Sequence, residues 1–279
     1  MKKFLSLLLV LVMVLSFAAC GAGTQKETLK VAMSPDFAPF EFVDASKTGQ
    51  DAYVGFDVSL AKFIAKELGM ELEIMPMSFD ACQVAVEVGT VDMAISGFVW
   101  SEKREANFNI SDFYFVGTDG KQTLIVAKDK ENTFTALDQF SGMKVAAQDA
   151  SLQFDLCSAQ LPADCEIIKI IDINTALLQL INGDFDAIAV PGSVGETLIN
   201  SHKDEIGFCG TDFYVDPKQD ANVVLLQKGD DELTEKVNAA LAKASEAGYY
   251  VTWEQEAKDL ANGANAQEIS YDDDGNVAA

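Results

Sequence analysis

Arginine is almost missing from this chain. Among its 279 residues are twenty Lys plus Arg, and only Arg104 is an arginine. Histidine is equally scarce, with His202 alone, in the polar stretch Asn200 to Asp204 that reads as a solvated helix end. A His-based triad or dyad would have to be built there, which argues against that chemistry. The chain has no CxxC and no Cys/His cluster, so nothing has the spacing of a transition-metal site, and no cofactor is implied. Past the N-terminal segment, no apolar run approaches the roughly 20 residues of a membrane-crossing helix. Positive charge is also short. The net charge of −24 argues against nucleic acid, and against an anionic membrane surface, as the main partner. An anionic ligand would have to be met by a local device, because the global field repels it.

The N-terminus reads as an export signal. Met1-Lys-Lys is a positive start and Phe4 to Phe17 an apolar run, ending in Phe17-Ala-Ala-Cys20 before Gly21. Small residues before a cysteine resemble a bacterial lipobox, with Phe17 in place of the usual Leu. Cleavage before Cys20 would leave that residue lipidated; the alternative is an ordinary signal peptide cut nearby. Four cysteines remain, and Cys157 and Cys165 flank a short loop with Pro162 and could pair in an exported protein.

From Leu29 onward, strands alternate with helices, the grammar of a parallel sheet. Leu29 to Met33 is a strand, followed by a loop held by Pro35 and Pro39. Val58, Ala61, Ile64 and Leu68 recur at helical spacing, with Gly69 as the stop. Glu71 to Met77 is a strand, Phe79 to Val88 a helix and Val91 to Ile95 a strand. A second unit repeats the order without repeating the sequence: strand Met143 to Ala147, helix Ala150 to Gln160, strand Cys165 to Ile171, helix Asn174 to Asn182, strand Asp186 to Val190. Asn222 to Gln227 reads as one more strand and Asp231 to Ala247 as a long helix. A short helix is expected after Trp253.

Arg104 sits where an apolar strand turns into a helix, in Ile95-Ser-Gly-Phe-Val-Trp-Ser-Glu-Lys-Arg104, with Ser101 as N-cap. A single arginine in a lysine-rich chain suits a task lysine does worse, the bidentate capture of a carboxylate. Locally, a surface arginine that happens to be unique fits as well.

Taken together, Ala38-Pro-Phe-Glu-Phe42, Val54-Gly-Phe-Asp57, Met77-Ser-Phe-Asp80, Gly89-Thr-Val-Asp92-Met-Ala94, Ser101-Glu-Lys-Arg104 and Lys228-Gly-Asp resemble the family 3 extracellular solute-binding proteins of polar amino-acid ABC importers. The resemblance runs from about Leu29 to Glu256. It implies an α/β, two-lobed periplasmic-binding-protein type II fold, each lobe a mainly parallel sheet flanked by helices. Two hinge strands would cross near Thr118 to Val126 and Tyr214 to Leu225. The implied organisation is a signal peptide (1–19), a lipidated tether (20–28), a discontinuous lobe 1 (29–119 and 223–262), lobe 2 (120–222) and a flexible acidic tail (263–279). The implied role is a monomeric receptor, anchored by lipid on Cys20 to the outer face of the cell membrane. It would pass an amino acid or related carboxylate to an ABC permease. The rival classes are an enzyme of dehydratase type on the same fold and a ligand sensor without transport.

The family's ligand positions carry over as follows. Phe37 and Phe79 match the aromatics that flank the ligand, with Phe98 beside them. Ser96, Gly97 and Val99 match the segment that meets the carboxylate through N–H and hydroxyl groups, and Arg104 matches its clamp. Gln148 and Ser151 match the lobe 2 turn, with Asp149 where the family commonly has Gly. Asp57, Asp80 and Asp92 read as caps and turn residues. Pro191 stands where the family's amine-binding Asp is expected, so either Asp149 takes the ammonium or the ligand lacks one.

Overall fold

In the computed structural model, the residues described are 26–116, 121–219, 221–263 and 266–267. The signal peptide, Cys20 and nearly all of the expected tail lie outside them. Leu29, Val31 and Met33 are fully buried on the strand Thr28–Met33, which pairs in parallel with Glu71–Pro76 on one side and Met93–Ala94 on the other. Leu225–Gln227 then adds antiparallel to Met93–Ala94, and Phe108–Ile110 antiparallel to that.

The second sheet has the same plan. Lys144–Gln148 lies in parallel between Glu166–Ile170 and Ala187–Pro191. Gln122–Ala127 runs antiparallel to Ala187–Pro191, and Ile206–Asp212 antiparallel to Gln122–Ala127. In each sheet one strand opposes the others. That strand comes from the other half of the chain: Leu225–Gln227 returns to the first sheet, and Gln122–Ala127 enters the second. The result is two lobes, each a mainly parallel sheet with helices against it. Between the sheets, Phe115–Val116 pairs antiparallel with Ala221–Asn222.

The helices start and stop where local chemistry directs. Phe56–Leu68 ends at Gly69, whose φ of 72° suits a residue without Cβ. Ser101, Ser151, Asp172 and Asp230 each accept a bond from an N–H in the first turn of the helix they precede.

Three elements differ from the sequence expectation. The apolar run after Asn222 is not one strand: Ala221–Asn222 belongs to the crossing ladder, and Leu225–Gln227 to the first sheet. Between them, Val223 donates to the Phe98 carbonyl (2.7 Å) and Val224 to the Ser111 hydroxyl (2.8 Å), so the chain leaves one ladder for the other. Only Met93–Ala94 of Val91 to Ile95 forms the ladder, because the chain turns at Ser96-Gly97. The last helix, Tyr249–Ala261, starts before Trp253 rather than after it. Gly248, at φ 71°, lets it fold back, and Tyr249 stacks on Trp253 with centroids 5.4 Å apart.

Candidate functional site

Both lobes contribute to one cavity of about 680 Å³, its open mouth included, within the range of small-molecule sites. Lobe 1 supplies an aromatic wall of Phe37, Phe40, Phe79 and Phe115, with Gly97, Val99 and Arg104. Lobe 2 supplies mostly neutral polar groups, Gln122, Gln148, Ser151 and Gln153, together with Lys121 and the corner Pro191, Gly192 and Ser193.

Arg104 reaches the wall from the short helix Glu102–Asn107. Its side chain is 6% exposed and passes over two rings, 5.2 Å from the Phe98 centroid and 5.8 Å from Phe79. The guanidinium donates to three neutral oxygens: Val99 carbonyl (2.7 Å), Ala150 carbonyl (2.9 Å) and Gln83 Oε1 (3.3 Å). None of the ion pairs among the described residues involves it. Burial lowers its pKa to about 10, opposed only by the charge of Asp155. It remains a cation at neutral pH, at a cavity wall, and among the described residues its nearest acidic influence is Asp155, with which it forms no ion pair.

The bond to Ala150 crosses from lobe 1 to lobe 2. Ala150 itself is strained, a non-glycine at φ 58°. The turn is held by Ser151, whose hydroxyl donates to the Gln148 carbonyl (2.6 Å) and accepts from Phe154 N–H (3.1 Å). A second set of crossing bonds ends on Asp36 of lobe 1, which accepts from Ile173 N–H (3.0 Å) and Gln148 Nε2 (3.4 Å).

Of the residues singled out in the sequence, Phe37, Phe79, Gly97, Val99, Arg104, Gln148 and Ser151 meet at the cavity. Gly97 is needed there as glycine: its φ is 58°, and a Cβ would come within 3.0 Å of the Phe37 ring.

Ser96, Phe98 and Asp149 do not reach the wall. Ser96 is fully buried; its hydroxyl donates to Glu41 and accepts from Ser34 N–H. The Gly97 N–H, expected to face a ligand carboxylate, donates to Asp57 (2.7 Å). Phe98, 0% exposed, stacks beneath Phe79 at 4.5 Å and supports it from behind. Asp149 turns outward to Lys169 (2.8 Å) and to the N–H of Ala150 (2.9 Å). A lysine ion pair and the local turn satisfy it outside the cavity.

Behind the aromatic wall lies an acid network that the sequence did not disclose. Asp57 accepts from Tyr114 OH (2.9 Å) as well as from Gly97. Burial raises Asp57 to about 6 and, with the nearby charge of Asp57, drives Glu41 well above the usual carboxylate range. The sequence pattern at Asp57 is that of a cap or turn residue, but its partners are 40 and 57 residues away, beyond any local pattern. Phe115, Lys121, Gln122 and Gln153 were likewise missed as wall residues. The one signal was Gln122 at the head of the apolar strand Gln122–Ala127.

Among the described residues no group of three His, Cys, Asp or Glu is placed to hold a metal ion. No helix among them is long and apolar enough to cross a membrane. Cys82, Cys157, Cys165 and Cys209 are buried thiols, so Cys157 and Cys165 are not bonded here.

Residues 29–256 match the family model described as bacterial extracellular solute-binding proteins, family 3. The arginine-binding extracellular protein ArtP of Bacillus subtilis (strain 168) is 31% identical over 256 residues, 89% of this chain and 94% of that protein. A probable histidine-binding protein of Campylobacter jejuni is 29% identical over 83% of this chain and 93% of its own. Among solved structures, the substrate-binding protein AbpA of Streptococcus pneumoniae bound to L-arginine superposes with a TM-score of 0.77. It shares 30% identity and covers 85% of this chain and 96% of its own. An ancestral arginine-binding protein bound to glutamine superposes at 0.74, with 28% identity over 83% of this chain and 97% of its own. A family match over most of the chain, a two-lobed fold and a cavity between the lobes lead to one conclusion: this protein belongs to the family 3 bacterial extracellular solute-binding proteins and is a receptor rather than an enzyme.

Proposed function

We propose that the protein captures a small carboxylate of amino-acid type between its lobes and delivers it to an ABC importer. Relatives named for arginine, histidine and cystine support that ligand type. The observation that carries the reading is Arg104, a buried guanidinium at the cavity wall whose bonds among the described residues go to neutral oxygens of both lobes. A ligand carboxylate would supply the missing counter-charge, and its capture would hold the lobes together. Phe37 and Phe79 flank the ligand, with Val99, Gln148 and Ser151 around its polar end. Lobe 1 is assigned residues 29–119 and 223–262, and lobe 2 residues 120–222. Cleavage before Cys20 leaves a lipid-anchored monomer on the outer face of the cell membrane, with residues 20–28 as tether.

The test is calorimetry on Arg104→Ala. The fold should persist and affinity should fall by roughly 2–5 kcal/mol, about 30-fold or more. Wild-type affinity in this variant would remove Arg104 from the site and the carboxylate clamp with it.

A further inference from the structure

The short strand Asp36–Phe37 of lobe 1 has two faces with different neighbours. Phe37 lines the ligand cavity, whereas Asp36 borders a second opening between the lobes. The Asp36 side chain is 4% exposed and its two oxygens are divided between the lobes. Oδ1 accepts from the Ser34 hydroxyl (2.7 Å) within lobe 1. Oδ2 accepts from two donors of lobe 2, Ile173 N–H (3.0 Å) and Gln148 Nε2 (3.4 Å). Lobe 1 holds this acceptor firmly. Asp36 N–H donates to the Ser34 carbonyl (2.8 Å), and the strand pairs Asp36 with Phe42 and Phe37 with Glu41.

Each lobe 2 donor has a reason to need Asp36. Ile173 opens the helix Ile173–Asn182, and an amide at that position has no partner within its own helix. Asp172, the N-cap, accepts from Thr175 N–H. Ile173 N–H is therefore satisfied across the lobe boundary, or by water when the lobes part. Gln148 ends the strand Lys144–Gln148 and lines the ligand cavity. Its Nε2 is shared between Asp36 and the Ile171 carbonyl (3.3 Å), which fixes the plane of the amide. Oε1 is then the atom that Gln148 can offer a ligand. One carboxyl thus ties a lobe 1 strand to a helix start of lobe 2 and to a residue of the cavity wall.

We infer that Asp36 is a positioning residue for ligand capture: it engages Ile173 and Gln148 as the lobes close, holds the closed form and orients Gln148 toward the ligand. The inference rests on the capture between lobes proposed above and adds a latch separate from Arg104. Arg104 reaches lobe 2 at the Ala150 carbonyl, from a different element of lobe 1 and to a different residue of lobe 2. A latch acts on the population of the closed form, so its loss appears in ligand release rather than in encounter.

The test uses the full chain in detergent, with L-arginine, L-histidine and L-glutamine as probes and the tightest binder carried forward. Stopped-flow fluorescence of Trp100 and Trp253 follows association and release. Asp36→Ala removes the acceptor and should speed release by about tenfold or more, with the association rate within about twofold of wild type. Asp36→Asn keeps an oxygen for Ile173 and Gln148 and should release the probe within about threefold of the wild-type rate. Amide exchange of Ile173, read by NMR, needs no variant: saturating probe should slow it by about tenfold or more in wild type. The same slowing is expected in Asp36→Asn and none in Asp36→Ala. An unchanged release rate in Asp36→Ala, a loss in Asp36→Asn as large as in Asp36→Ala, or Ile173 exchange that the probe leaves unmoved would each overturn the inference. If Arg104→Ala weakens the probe while Asp36→Ala releases it at the wild-type rate, the latch fails and the carboxylate clamp stands. If Asp36→Ala speeds release and Arg104→Ala binds as wild type does, the latch stands and the clamp fails. If no probe binds, both fail.

Discussion

Asp36 should make the protein less stable as pH rises from about 4 toward neutrality. Its carboxyl is 4% exposed, on a lobe 1 strand facing the start of the lobe 2 helix Ile173–Asn182. Burial and the like charge of Asp172 raise its pKa from 3.8 to about 7, outweighing the bonds donated by Ile173 N–H and the Ser34 hydroxyl. Between those two values the native chain keeps a proton that the unfolded chain has released. Stability therefore falls with pH across the window, by about 1.4 kcal/mol per pH unit. From 3.8 to about 7 that amounts to about 4 kcal/mol, absent at the acid end and complete above neutrality. Asp36→Asn cannot ionise, and its amide oxygen can still accept from Ile173. The variant should match wild type near pH 4 and exceed it at pH 8 by up to about 4 kcal/mol. The assay is urea unfolding from pH 4 to pH 8, followed by the fluorescence of Trp100 and Trp253. Asp57 is also raised by burial but is present in both proteins and cancels in the difference, whereas Glu41 is raised partly by the charge of Asp36, so losing that charge in Asp36→Asn widens the gap at high pH in the same direction. A gap that stays constant with pH, or widens toward acid, would refute the reasoning.

Two further outcomes follow from particular residues. Gly97→Ala forces a Cβ to φ 58° and to within 3.0 Å of the Phe37 ring, so it should cost about 1–2 kcal/mol of stability and weaken ligand binding by displacing that ring; unfolding and calorimetry with wild-type values would show that the corner tolerates a side chain. Cys20→Ser should release the protein from membranes with ligand affinity unchanged, since the first sheet starts at Thr28; fractionation that still finds it on the membrane would sink the lipid anchor.

Much of the fold was legible because its determinants are local. The helical spacing of Val58, Ala61, Ile64 and Leu68, the glycine stop at Gly69 and the N-cap Ser101 act within a few residues, and each appears where the sequence put it. The scarcity of arginine marked Arg104 in the same way, since composition is visible without a fold. Partners distant in sequence were not visible. The run after Asn222 looks uniformly apolar, but tertiary pairing divides it between two ladders. Ser96 and Gly97 were expected to offer a hydroxyl and an N–H to the cavity, and Glu41 and Asp57, from elsewhere in the chain, take both. Lys169 draws Asp149 outward by the same kind of long-range pairing. The sequence determined which groups were available, because capping, periodicity and charge are local or compositional. Only the tertiary structure decided which of them face the cavity, because a polar group turns to the partner that packing brings within hydrogen-bond reach.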